Sequence, residues 1–250
     1  MTALQKNRTW MLVPLPEGKR KVGCKWVFSI KHKADGSVER YKARLMAKGY
    51  TQTYGIDFQE TFAPVAKLNT VRVLLSHAVN LDWPLHQFDV KNAFLHGDFK
   101  EEVYMNIPPG FKTSVKDGCV CRLQKALYGL KQSPRAWFGR FSLSMKKKGF
   151  RQSNSDHTLF LKNQNGKVTA LIIYVDDMII TGDDNEEIIE LQKHLAKEFE
   201  MKNLEGLKYF LEIEVARSKH GIFLSQRKYI LDLLTETGML ECKPADTPIA

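Results

Sequence analysis

Cysteine is scarce in this chain: Cys24, Cys119, Cys121 and Cys242 are all that 250 residues hold. Cys119-x-Cys121 has no second ligand pair, and neither a zinc-type nor a paired framework is visible. The four read as reduced thiols of an intracellular protein. Long apolar runs are missing as well, so no stretch approaches the length of a membrane span. The N-terminal MTALQKNRTWMLVPLP lacks the continuous apolar core of a signal peptide. There is no internal repeat and no low-complexity segment. Acids are also few beside bases: 28 against 38, for a formal charge of +10 and a pI near 9.3. That balance favours a polyanionic partner such as nucleic acid, although a basic surface is compatible with other roles. What remains is ordinary globular material, 43% hydrophobic and 10% aromatic, long enough for one large domain or two small ones.

The most informative stretch is Leu171–Gly182, LIIYVDDMIITG. An apolar run is interrupted by Asp176 and Asp177 and then resumes, the pattern of two short buried strands with the aspartates at their tight connection. Asp-Asp is a poor hairpin turn, because the primed turns favour Asn-Gly or Asp-Gly. Two adjacent carboxylates also repel, more so beside apolar strands. Two solvated acids on a surface turn are the ordinary explanation of such a pair. Here Tyr174-Val175 and Met178-Ile179-Ile180 crowd the acids, and a divalent metal between them accounts better for their placement.

In chain order, Val22–Lys33 and Val38–Lys48 read as a basic hairpin turning at Ala34-Asp35-Gly36-Ser37. Its many cations read either as solvated edge-strand residues or as holders of a phosphate chain, with Lys42 and Arg44 best placed. Tyr54–Leu68 is irregular. Asn69–Leu81 reads as a helix capped by Asn69, its apolar face formed by Val71, Leu74, Leu75, Ala78 and Val79. Leu85–Val90 reads as a strand that delivers Asp89 at its end. Alone, such an aspartate is a turn residue or a helix cap, and Phe94 a core aromatic. Glu101 and Glu102 read as solvated, ahead of a Pro-Pro-Gly turn. Ser133-Pro134 reads as a helix start, with Ser133 at the N-cap and Gly149 as the stop. Asp156–Leu161 and Lys167–Val175 read as strands around the Asn163–Gly166 turn. Asp184–Phe199 reads as an amphipathic helix with Asp184 as its cap. Leu207–Val215 and Ile222–Leu224 suggest a hairpin across His220-Gly221, followed by a helix from Gln226 to about Thr237.

Tyr174-Val175-Asp176-Asp177 between apolar strands resembles the signature of reverse transcriptases, and several further motifs follow in order. FDVKNAF around Asp89 is similar to their first catalytic motif, LYGLKQSPRAWFGRF to their second polymerase motif, and KARLMAKGY and EEVYMNIPPGF to the copia-type branch. From about Trp10 onward the chain is therefore identified as a member of the reverse transcriptases of copia-type (Pseudoviridae-like) LTR retrotransposon Pol polyproteins.

The resemblance implies an α+β right-hand polymerase fold over residues 10–250. Fingers would lie at about 19–68 and 101–150, the palm at about 69–100 and 151–225, and a truncated thumb at about 226–250. It implies RNA-directed DNA polymerase activity, extending a DNA primer on an RNA or DNA template from deoxynucleoside triphosphates. Two Mg²⁺ ions, with Mn²⁺ as substitute, would be held by Asp89, Asp176 and Asp177, the last as an auxiliary ligand. Lys42, Arg44, Phe94, Tyr128 and Gly129 would bind the nucleotide, with the Phe94 ring obstructing a 2′-hydroxyl and Gly129 letting the backbone approach the base pair. Lys131, Ser133, Pro134 and Tyr174 would face template or primer. RNase H and integrase regions of a polyprotein are the implied partners, no membrane is, and the implied location is cytoplasmic, in virus-like particles. The metal site alone fits a DNA-templated polymerase equally, but the copia-like motif set speaks against it. The chain departs from the family's LGxLKYFLGIE pattern at Leu204-Glu205-Gly206-Leu207 and at Glu212, where glycine is usual. It stops at Pro248-Ile249-Ala250, inside the implied thumb, with no stretch resembling protease, integrase or RNase H. A catalytically inactive nucleic-acid-binding remnant is the alternative.

Overall fold

The apolar runs around the aspartates form the middle of a six-stranded antiparallel sheet. In the computed structural model, which describes residues 1–33, 35–99, 101–111, 118–218 and 221–243, its strands lie side by side as Met201–Gly206, Leu85–Val90, Asp177–Gly182, Lys167–Tyr174, Leu159–Gln164 and Arg151–Gln152. The central strands are apolar at consecutive positions because both of their faces are covered. Phe88, Val90, Leu171, Ile173, Met178 and Ile180 point to one face, against helices Ser133–Lys147 and Asn185–Glu198. Leu85, Ala170, Ile172 and Ile179 point to the other, against helix Leu68–Asn80 and residues Phe210, Ile213 and Val215. The fold is mixed α/β.

A second core joins the N-terminal half to this sheet. Trp10–Pro14 pairs with Cys119–Leu123, which continues through Tyr104–Met105 to Lys21–Val22. The basic hairpin, Cys24–His32 and Val38–Ala47, stands beside it as a two-stranded ribbon. Leu45 and Ala47 root the hairpin in that core together with Leu95, Leu127 and Leu130.

Several local expectations change. Helix Leu68–Asn80 begins before Asn69, has Lys67 at its cap position and receives no side-chain cap from that residue. An acceptor comes instead from a distance: buried Asp156 Oδ2 takes the Lys67 amide at 2.9 Å. Ser133 is the first residue of its helix, behind Gln132. Its hydroxyl donates to the Leu127 carbonyl at 2.6 Å and accepts the Leu127 amide at 3.1 Å. Asp184 does cap its helix, accepting from the Glu187 amide at 3.1 Å. The Leu207–Val215 stretch is two strands, Tyr209–Phe210 and Ile213–Ser218, because Leu211 and Glu212 both take positive φ and turn the chain back. The turn brings Phe210 and Ile213 into one core. Ala34 of the first expected turn, His220 of the last and the chain end 248–250 lie outside the described residues.

Candidate active site

The site is built where the two central strands meet their turn. Tyr174 pairs with Asp177, so the turn residues are Val175 and Asp176, and Asp177 already belongs to the second strand. This corrects the placement of both aspartates in the connection. Val175 takes φ +53°, a costly conformation for a β-branched residue. Two donors from elsewhere hold it there. The Trp137 indole donates to the Val175 carbonyl at 2.7 Å, and the Val90 amide donates to the Asp176 carbonyl at 2.7 Å. Strain of this kind persists where the surroundings over-determine the backbone.

The strand register then sets Asp89 directly opposite Asp177. Burial pushes the Asp177 carboxyl up to about 6, with the charges of Asp176 and Asp89 adding to it and a hydrogen bond from Gln87 opposing it. Asp176 is also raised, by burial first and by Asp89, while Lys42 and Arg44 pull the other way. Burial lowers Lys42, neighbouring cations lower it further, and Asp89 opposes them. These mutual influences set Lys42 and Arg44, both half-buried, within electrostatic reach of the aspartates. The pairing of Ser29 with Lys42, Val27 with Arg44 and Lys31 with Arg40 gathers those cations on one face of the ribbon.

Among the described residues, none of the three carboxylates is engaged in an ion pair. Hard oxygens with uncompensated charge suit Mg²⁺. Among the described residues no three carboxylate, imidazole or thiol groups converge closely enough to hold an ion by themselves.

The remaining residues separate by position. Phe94, on a short 3₁₀ turn after Asp89, packs on Tyr128 with ring centroids 4.6 Å apart. Burial raises the Tyr128 hydroxyl, and Asp176 adds to it. Phe94, Lys131, Pro134, Tyr174 and Val175 line a cleft of about 450 Å³ with Phe62. Lys131 also reaches the Gln52 carbonyl at 3.2 Å. Ser133 is 0% exposed and its hydroxyl is committed to Leu127, so it shapes the preceding loop. Gly129 makes a close contact within the chain itself. Its φ is +91°, and a Cβ there would run into the Ala47 carbonyl oxygen. The close approach is to the basic hairpin, where the Ala47 amide donates to the Tyr128 carbonyl at 2.8 Å. Gln87, beside Asp177, was missed by sequence reasoning. Its only signal was an amide in a strand otherwise destined for burial.

A carboxylate pair on adjacent strands, a third carboxylate in the turn and a cationic ribbon nearby form one charged centre. Residues 7–250 match the family described as "Reverse transcriptase (RNA-dependent DNA polymerase)", and the chain belongs to that family. It is 47% identical over 245 residues to the "Retrovirus-related Pol polyprotein from transposon RE1" of Arabidopsis thaliana, covering 98% of this chain and 17% of that protein. It is 45% identical over 253 residues to the corresponding polyprotein "from transposon TNT 1-94" of Nicotiana tabacum, covering 100% of this chain and 19% of that protein. The chain thus spans under a fifth of the length of these relatives. A solved telomerase from Candida albicans overlays with a TM-score of 0.46 at 8% identity, over 97% of this chain and 53% of that one.

Proposed function

We propose that this chain is the RNA-directed DNA polymerase domain of a copia-type Pol polyprotein, extending a DNA primer on an RNA or DNA template. The observation that carries the reading is the register of Asp89 with Asp177, with Asp176 in the adjoining turn and a cationic ribbon in reach. On this reading the six-stranded sheet is the palm, the basic hairpin belongs to the fingers, and helix Arg227–Glu236 opens the thumb.

Asp89 and Asp176 would hold Mg²⁺ or Mn²⁺ together with triphosphate oxygens, and Asp177 would act beside them. Two such ions, when bound, supply activation of the attacking 3′-oxygen and stabilisation of the leaving oxygens. The chain's own residues do the rest. Lys42 and Arg44 hold the triphosphate in line, Phe94 and Tyr128 form a wall against the sugar, and Tyr174 and Pro134 line the cleft for the template. RNase H and integrase regions of the polyprotein are the partners this reading assigns, with cytoplasmic virus-like particles as the location.

The inactive-remnant reading draws on one feature: helix Arg227–Glu236 buries none of its residues. Magnesium-dependent extension of a DNA primer on an RNA template separates the two. Extension by the parent, lost by more than about 100-fold in Asp176→Asn, the scale of removing one electrostatic stabiliser from a reaction centre, supports the polymerase. Salt-sensitive primer–template binding with no extension by either protein supports the remnant.

A further inference from the structure

Gln87 is 6% exposed and lies two residues before Asp89, on the same face of the sheet. The register pairs Gln87 with Ile179 and Asp89 with Asp177, which makes Gln87 the diagonal cross-strand neighbour of Asp177. Apolar residues surround that face: Leu85, Ile179, Phe210 and Ile213. Packing alone gives no reason for an amide there, and a buried amide is costly unless its groups are bonded.

They are bonded. Nε2 donates to the Tyr209 carbonyl at 2.7 Å, and Oε1 accepts the Lys208 amide at 3.5 Å. The same side chain lies diagonally across from Asp177 and acts to lower that carboxyl, against its burial. The carboxamide thus links the strand carrying Asp89 to the backbone that enters hairpin Tyr209–Ser218, and it sits beside the second strand's carboxylate. That backbone packs on the sheet through Phe210 and Ile213 and belongs to no other part of the candidate site.

Resting on the polymerase reading above, we infer that Gln87 is a positioning residue: it aims the Asp177 carboxylate and ties that aim to the Lys208–Tyr209 backbone. The orientation of Asp177 is thereby coupled to the position of the hairpin. Outer partners of metal-ligating groups act in this way, by fixing the orientation of the ligand.

The test uses the full chain in a complex that cannot react: a dideoxy-terminated DNA primer on an RNA template, the matching deoxynucleoside triphosphate, and Mn²⁺ followed by electron paramagnetic resonance. Gln87→Met, which keeps the volume and loses the donor, is expected to weaken Mn²⁺ binding about tenfold. Gln87→Asn keeps the amide but is too short to span both partners, and it gives a smaller loss in the same direction if Gln87→Met does not fold. Leu85→Ala opens a cavity on the same strand and face and lowers the thermal midpoint, yet leaves Mn²⁺ affinity within about twofold of the parent. Parent-like binding by both Gln87 variants overturns the inference, as does an equal loss in Leu85→Ala. Parent binding no tighter than that of Asp89→Asn overturns the metal reading itself, and the inference with it.

Discussion

Asp177 carries a cost that a solvated carboxylate does not. Burial first, then the charges of Asp176 and Asp89, push its carboxyl up to about 6, against about 3.9 in an unfolded chain. The folded state therefore binds more protons than the unfolded one between those values. The stability this group contributes is present below the unfolded value and lost as pH rises through about 6. With divalent ions chelated, Asp177→Asn is expected to stabilise the fold at neutral pH by on the order of 1–2 kcal/mol after allowance for solvent screening. Near pH 4 the gain should vanish, since parent and variant are then both neutral at this position. Urea unfolding at the two pH values measures it, and an equal gain at both rejects the electrostatic account. At this scale the sequence was partly legible. The carboxylate pair stood out against its apolar flanks, and the strand register sets Asp89 opposite Asp177. The phase of the turn did not show, because Val175 at positive φ contradicts local propensity and is held by the distant donors Trp137 and Val90.

Whole elements were legible wherever periodicity is local. The central hairpin, the Asp89 strand, the Asp184 cap and the Gly149 stop follow from short-range pattern. Two caps did not, since Asp156 supplies one acceptor from far along the chain and Leu127 occupies the Ser133 hydroxyl. The two departures from the family's glycine pattern now have a backbone explanation. Glu205 takes φ +66° at a register shift in the edge strand, and Glu212 takes φ +64° in the two-residue turn between Phe210 and Ile213. Glycine adopts that region at no steric cost, whereas a residue with a Cβ gives up about 1 kcal/mol or more. Glu212→Gly is therefore expected to stabilise the chain by about 1 kcal/mol, raising the melting temperature by about 2–4 °C for a chain of this size. Glu212→Ala, which keeps the Cβ, should give no such gain in a calorimetric scan. An equal rise in both variants would assign the effect to loss of the glutamate charge instead.

Charge is distributed over the molecule in a way that composition alone does not reveal. The chain has an excess of ten positive charges, and the ribbon register sorts the hairpin into unlike faces. Lys25, Lys31, Arg40, Lys42 and Arg44 share one face, while Phe28, Ile30 and Tyr41 share the other. Lys42 and Arg44 fall under the influence of the aspartates, whereas Lys31 and Arg40 are paired across the strands and exposed. If the cationic face tracks a phosphate backbone, each contact releases condensed counterions and steepens the dependence of affinity on salt. Primer–template affinity is then expected to fall by at least about tenfold between 50 and 200 mM salt. Lys31→Gln and Arg40→Gln should each lower the slope of log affinity against log salt by about 1, weakening binding uniformly across template sequences. Asp176→Asn removes a negative charge without removing a phosphate contact, so it should leave the slope unchanged. A fluorescence-anisotropy titration over that salt range decides the matter. Slopes equal to the parent's in both cation variants would make Lys31 and Arg40 solvated residues that guard a strand edge against aggregation, and would confine the ribbon's electrostatic role to Lys42 and Arg44.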